Sequence, residues 1–436
     1  MGRVDKLIKD LERHPVLCVT GLLVFHVLIA VGMYLVATST ILAHLHDGHG
    51  LWNFARDSMG YDRAARHLLS LLQKGDWLTW WHEWELSSHI RLISLCYLFF
   101  GANPLSFEVV NAPVWSATFV AILVTSRLVF VDGPYFLAYI PAVLFSFLPS
   151  CVLSTTQLLK DPIYILGLSF LMLGWVTMLK GRKGWMAVII LVSGYLFVVS
   201  MRPYLQGPLF IFFLMIWLIM FLVGKDFHIR YQALAALFCM FLISNSQFES
   251  HSVPPASHAA SASHAASALG GKIMNGLGHF ALRIGHMRDG FLPTNKHSKS
   301  GIDKSVQIKS VQDLVRYIPR AVQIGFLAPF PDTWMKRGKE TGRIGRIIAG
   351  CETLLWYILL FSSLYCWWVK PRVFASLSVP IILSCAIITL LGCVVTNVGA
   401  LYRMRAGYLA PFYILGVYGI YLIYTRYSLR RSSFSG

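Results

Sequence analysis

Residues 15–41, PVLCVTGLLVFHVLIAVGMYLVATSTI, decide the class to which this chain belongs. The run holds no Asp, Glu, Lys or Arg. It exceeds the roughly 20 residues that a helix needs to cross about 30 Å of hydrocarbon. It follows a polar, charged opening, MGRVDKLIKDLERH, and is too long for the apolar part of a secretory signal, so a retained membrane anchor is expected.

Working outward, apolar blocks of similar length recur at 105–131, 133–153, 162–180, 185–201, 205–224, 230–245, 353–370, 374–396 and 406–425, each bounded by charge, Pro or Gly. The expectation is an all-α polytopic membrane protein with about ten transmembrane helices. Composition agrees: 56% of the 436 residues are hydrophobic and 13% charged, about half the charged share of a soluble domain. The formal charge of +18 would suit nucleic acid, but the 38 basic residues sit in loops and at span ends. That distribution points to a membrane and to no nucleic-acid partner. Arg3, Lys6, Lys9, Arg13, the Lys180–Lys183 loop, Lys225, Arg230, Lys370, Arg372, Arg426, Arg430 and Arg431 all fall on one face, which the positive-inside rule makes cytoplasmic. A multi-pass protein of an inner membrane, with both termini cytoplasmic, is expected. Cys18, Cys151, Cys239, Cys366, Cys385 and Cys393 lie inside apolar runs as small hydrophobes, and no CxxC motif is present.

This pattern divides the chain into an N-terminal transmembrane module, 1–245, a large external segment, 246–352, and C-terminal transmembrane helices, 353–436. Within the first module, residues 44–104 form an external loop with interfacial helices. Ile90–Phe100 is too short to span. In Tyr61–Gln73, Tyr61, Ala65, Leu68, Leu69 and Leu72 share one helical face, and Asp62, Arg63, Arg66 and His67 the other. Trp77, Trp80, Trp81 and Trp84 suit the headgroup level. The external segment opens with SHSVPPASHAASASHAAS, residues 250–267, a low-complexity linker. The spacing of His251, His258 and His264 matches no metal-ligand set. Ser310 and Asp313 then predict a capped amphipathic helix whose apolar face runs through Val311, Leu314, Val315 and Ile318, kinked at Pro319 and ended by Pro329 and Pro331.

Polar side chains at span ends on one face mark a candidate site, because such groups are costly near a bilayer. On the external face these are Asp47 and Asp57 after the first span, Lys160 and Asp161 before the fourth, Arg202 after the fifth, and Arg403 and Arg405 before the last. Bases beside acids at one surface suit an anionic lipid phosphate and a general base for a hydroxyl. Plainer roles are also open: Asp161 before Pro162 suits a helix N-cap, Lys160 and Arg202 suit headgroup anchors, and Asp57 suits a loop acid capping the next helix. Arg403 and Arg405 lie outside, against the positive-inside trend, and so fit a binding role better.

Several short motifs carry a resemblance. These are Asp57-Ser58-Met59-Gly60-Tyr61 with Gly75-Asp76-Trp77, Leu98 to Leu105 (LFFGANPL), Glu108-Val109-Val110-Asn111, Ser154 with Leu159-Lys160-Asp161-Pro162, Tyr317-Ile318-Pro319-Arg320 with Ala328-Pro329-Phe330-Pro331, and Asn397 to Arg405 (NVGALYRMR). In organisation and motifs the chain resembles the GT-C superfamily of polyprenyl-phosphate-sugar-dependent membrane glycosyltransferases, of the bacterial exopolysaccharide and O-antigen type. It departs in having Glu108 where the family usually has Arg, and Asp-Ser where an acid pair is frequent. The resemblance implies a GT-C-like fold and an inverting transfer of a sugar from a polyprenyl-phosphate donor to a glycan or lipid-linked acceptor on the periplasmic face, in cell-surface polysaccharide synthesis. Asp57 would be the base, with Tyr61 and Asp47 as further candidates, and Lys160, Asp161, Arg202, Arg403 and Arg405 would hold the lipid phosphate. Membrane lipids, donor and acceptor are the implied partners. No cofactor is firmly implied, and a divalent metal stays open. A polysaccharide polymerase or ligase and a transporter or flippase are the competing classes, the last lacking the repeat symmetry it should show.

Overall fold

In the computed structural model the described residues are 15–83, 87–131, 133–181, 184–223, 227–249, 267–295, 300–336, 338 and 342–434. Among them every named element is helical, and the only β pairing consists of two isolated bridges. The α-helices are α1 Pro15–Ala37, α2 Arg56–Gln73, α3 Trp77–His82, α4 Ser88–Phe100, α5 Glu108–Val129, α6 Tyr139–Ser146, α7 Pro149–Thr155, α8 Asp161–Leu179 and α9 Gly184–Met201. They continue with α10 Gln206–Val223, α11 Phe227–Glu249, α12 Ser267–Asn295, α13 Val311–Leu327, α14 Gly342–Val369, α15 Pro371–Ser376, α16 Ser378–Val394, α17 Val398–Arg405 and α18 Ala410–Phe434.

Among the described residues five helices are long and apolar enough to cross a membrane, or up to seven if each of two bent pairs counts as one. The first is α1, which stops at Ala37, short of the expected 41. Thr38 Oγ1 donates to the carbonyls of Tyr34 and Leu35 at 3.1 and 3.2 Å, and Ser39 Oγ to Val36 at 2.8 Å, satisfying the last turn's open acceptors. The expected span at 133–153 is not one helix. It breaks between Ser146 and Pro149, where the chain turns by 60°, because Pro149 has no N–H to continue the ladder.

The chain divides into two compact units. The first comprises Met1–Asn245, Leu354–Leu383 and Ala406–Gly436. Its centre is the α8–α9 hairpin, where glycines let two backbones meet: a Cβ on Gly194 would lie 2.6 Å from the Leu171 nitrogen and 2.7 Å from the Gly167 carbonyl oxygen. The 44–104 segment is tied to this unit by side chains. The Trp52 indole donates to the Met33 carbonyl at 3.1 Å, Asn103 Nδ2 to the Tyr34 hydroxyl at 2.8 Å, and the Trp52 amide to Gln157 Oε1 at 3.3 Å. Helix α2 buries Ala65, Leu68, Leu69 and Leu72, as its periodicity predicts. Of the expected aromatic cluster, Trp77 and Trp81 are exposed, but Trp80 is buried with its indole on Ser94 Oγ at 3.0 Å. Trp84 lies outside the described residues.

The second unit comprises Ser246–Thr353 and Ser384–Arg405. Ser310 caps α13 by accepting from the Asp313 amide at 3.1 Å, and the Asp313 carboxylate accepts from the Ser310 hydroxyl at 2.8 Å. The helix runs on past Pro319 to Leu327 as one element. Its buried face differs from the expected one: Leu314, Tyr317, Ala321 and Ile324 are covered, whereas Val315 and Ile318 are exposed. Tertiary contact chose a stripe that apolarity alone could not single out.

Candidate functional site

In the first unit, three segments converge. Helix α2 presents Asp57 and Tyr61 one turn apart on one face. The chain entering α8 brings Lys160 and Asp161, and the end of α9 brings Arg202. The Lys160 ammonium lies 5.3 Å from the centre of the Tyr61 ring. Arg202 Nη2 donates to Asp161 Oδ1 at 3.3 Å, its guanidinium stacks 4.0 Å from the Tyr164 ring, and Nη1 lies within 3.5 Å of the Tyr204 hydroxyl. The Tyr164 hydroxyl in turn hydrogen-bonds Tyr408.

The burial of these groups sets their electrostatics. Arg202 and Asp161 are both about nine-tenths buried, so each charge relies on the other for the compensation that water would give. Lys160 is half-buried. Burial first, and then the positive charge of Arg202, pull its ammonium below the usual lysine range, while the Asp57 carboxylate opposes that pull. Asp57 itself is exposed and sits in the first turn of α2, whose N-cap residue is Ala55. The expected capping role of Asp161 is likewise replaced: Lys160 is the N-cap residue of α8, without a side-chain cap bond, and the Asp161 carboxylate turns to Arg202.

Sequence analysis therefore named five residues that fold together: Asp57, Tyr61, Lys160, Asp161 and Arg202. Asp47 serves elsewhere. Its Oδ1 accepts from the amides of His49 and Leu51 at 2.8 and 3.0 Å, which closes a loop. His89 was missed. It is fully buried, donates from Nε2 to the Leu158 carbonyl at 3.2 Å, and stacks edge-on against Tyr61 with ring centres 5.3 Å apart. It thus braces the turn that carries Lys160. Burial pushes its imidazole down to about 3, so it works as a neutral donor. A second missed group is His26, whose ring joins Glu108 through Nδ1 and Thr155 Oγ1 through Nε2, the latter at 2.9 Å. His26 in mid-run of α1 is the kind of intramembrane ionisable residue that should have been flagged.

Arg403 and Arg405 belong to the second unit. Arg405 is 1% exposed. It donates from Nη1 to the Gly325 carbonyl at 2.8 Å, in the last turn of α13, and stacks 5.4 Å from Tyr402. Arg403 is half-buried. The same unit holds Arg288, also 1% exposed, which donates to the carbonyls of Cys393 and Asp303 at 2.6 Å and of Val306 at 3.2 Å. Arg405 and Arg288 each meet one carbonyl at a helix C-terminus, Gly325 of α13 and Cys393 of α16, where the backbone leaves acceptors open and the dipole favours a cation. Asp303 grips Arg320 with both oxygens, at 2.9 and 3.2 Å, and accepts from the Tyr317 hydroxyl at 3.2 Å. The Arg320 bond holds its carboxyl below the usual range.

Among the described residues no three His, Cys, Asp or Glu side chains are grouped so as to hold a metal ion, and His251, His258 and His264 lie outside them. The first unit's cluster can do two things: place positive charge against an anionic group, through Lys160 and Arg202, and offer an exposed carboxylate beside it. What fold and cluster define is a helical protein with several apolar helices of membrane-spanning length. Comparison with family models, curated proteins and solved structures finds no match.

Proposed function

We propose that the chain is a GT-C-type inverting glycosyltransferase of a bacterial inner membrane, moving a sugar from a polyprenyl-phosphate donor to a glycan or lipid-linked acceptor at the periplasmic face in cell-surface polysaccharide synthesis. Both termini are cytoplasmic in this reading. The five long helices, the two bent pairs and three shorter apolar helices, Pro203–Ile219, Tyr231–Ser244 and Ser378–Val394, would make ten spans. Ser88–Phe100 is then interfacial.

The observation that carries the proposal is the grouping of Asp57 with Lys160, whose charges act on each other, beside the Arg202–Asp161 pair. In this mechanism Asp57 takes the proton of the acceptor hydroxyl, the hydroxyl oxygen bonds to the anomeric carbon, and the sugar–phosphate bond breaks. The electron pair leaves with the polyprenyl phosphate, which Lys160 and Arg202 neutralise. Asp161 holds Arg202 in place, and Tyr61 lies under Lys160. Arg405, already engaged at the end of α13, contributes to the fold of its own unit.

The test uses membranes carrying the full chain, a polyprenyl-monophosphate sugar and mass-spectrometric detection of the glycan. Asp57→Asn should insert normally yet lose at least about 100-fold in transfer rate, the lower limit for a positioned base. Asp47→Asn should stay active, because Asn can accept the same loop amides. An active Asp57→Asn sinks the assignment. Transfer from a diphosphate-linked oligosaccharide, and not from the monophosphate donor, would make the protein a polymerase or ligase instead.

A further inference from the structure

Helix α13 carries three kinds of surface, and its own unit covers one of them. Leu314, Tyr317, Ala321 and Ile324 face inward and are at most 9% exposed. Val315, Ile318 and Val322 recur at helical spacing on a second stripe and are 58, 40 and 39% exposed. Gln312, Arg316 and Gln323 line the exposed polar sector next to it. An apolar stripe of this kind bordered by arginine is the pattern of a helix that lies in a membrane interface.

What the inward face touches gives the occupant of the outward one. Ala321 and Gly325 press on Ile388 and Gly392 of α16. A Cβ on Gly325 would lie 2.5 Å from the Ile388 carbonyl oxygen, and one on Gly392 would lie 2.1 Å from that of Ala321. Small residues four apart thus bring the two backbones into contact, as they do between membrane helices. Helix α16, SVPIILSCAIITLLGCV, has no charged residue. Its contact with α13 lies within about 9 Å of its end at Val394, at 1.5 Å per residue. A helix held there, against the Val394 half of an uncharged apolar helix, lies toward one side of the hydrocarbon layer that α16 would enter.

We propose that α13 is an in-plane membrane helix, with Val315, Ile318 and Val322 sunk among the acyl chains of one leaflet and Arg316 and Lys309 reaching anionic lipid headgroups. Lys309 is exposed just before the helix cap, so both cations are available. Asp303 already holds Arg320, which leaves Arg316 as the cation on the outer edge. The proposal is independent of glycosyl transfer and rests on α16 entering a bilayer, as the ten-span reading has it.

The experiment places the photo-cross-linking residue p-benzoylphenylalanine singly at Val315, Ile318, Val322, Gln312 and Gln323 in the full chain. Each variant is reconstituted into phosphatidylcholine vesicles that hold phosphatidylglycerol as a small minority component, irradiated and read by peptide mass spectrometry. Lipid adducts at the three apolar positions should exceed those at the two glutamine positions several-fold. Phosphatidylglycerol should be enriched several-fold over its share at position 315, and Arg316→Gln should remove that enrichment. Cross-links from the apolar stripe to a second copy of the chain, or lipid adducts no more frequent there than at Gln312 and Gln323, would overturn the in-plane placement. Adducts in proportion to vesicle composition would overturn the headgroup contact.

Discussion

Lys160 is the residue on which the chemistry of the first unit turns, because its charge is conditional. Burial and Arg202 both disfavour the ammonium, so on raising the pH it loses its proton before an exposed lysine would. The transfer rate should therefore fall on an alkaline limb lying below the ordinary lysine value of about 10.4. Lys160→Arg should push that limb upward, since a guanidinium stays charged. A pH–rate profile with the same alkaline limb in both proteins would remove Lys160 from the site. The His26–Glu108 pair makes a different prediction, about stability. Both partners are buried, so His26→Leu leaves the Glu108 side chain without its buried partner and should cost about 1–3 kcal/mol. The double variant His26→Leu, Glu108→Leu should recover a large part of that loss. Thermal unfolding of the detergent-solubilised proteins measures both, and a double variant that loses the sum of the two single losses would show that the pair does not couple.

At the scale of elements, the α8–α9 hairpin depends on what Gly194 lacks. Any Cβ there would meet backbone atoms of α8 at under 3 Å, and backbone cannot swing aside as a long side chain can. Gly194→Leu should destabilise the protein by at least about 1–3 kcal/mol, the usual overpacking range. It should also pull apart the ends that carry Asp161 and Arg202. Gly21→Ala and Gly32→Ala in α1 are the controls, since nothing lies within 4 Å of a Cβ at either position. Their melting temperatures should match the parent's, and a parent-like Gly194→Leu would refute the close-contact account. The break at Ser146–Pro149 is the complementary case, in which a backbone without an N–H turned one apolar run into two helices.

At the scale of the whole molecule, the basic loops and the apolar helices predict opposite sides of the membrane for the 44–104 loop and the C-terminal end. Lys74 and Ser428 are both exposed. With Lys74→Cys and Ser428→Cys, a membrane-impermeant thiol reagent added to intact cells should label position 74 and leave 428 untouched until the cells are opened. Labelling of both from outside would invert or break the ten-span arrangement. The apolar helices themselves were legible in advance, because a run such as 15–41 carries its own reason to form a helix of membrane-spanning length: hydrocarbon demands length and apolarity, and both are local properties of sequence.

The amphipathic face of α2 and the cap of α13 are also local, being set by a 3.6-residue period and by Ser310 three residues before Asp313. Four residues of the cluster, Asp57, Lys160, Asp161 and Arg202, were legible as charges beside apolar runs, and Tyr61 as part of an amphipathic helix. Their pairings were not. Asp161 reads from sequence as a cap and becomes the partner of Arg202, 41 residues away, and Arg405 reads as a phosphate ligand and lies buried at the end of α13. The choice between the two apolar stripes of α13 was likewise made by Ile388 and Gly392. Sequence by itself determined the helices, the apolar runs and the segments rich in charge, since each depends on neighbours within a few turns. Which charge meets which, and which face is covered, was decided only by tertiary contact, because a buried charge or a bare stripe takes its partner from whatever distant segment the packing brings against it.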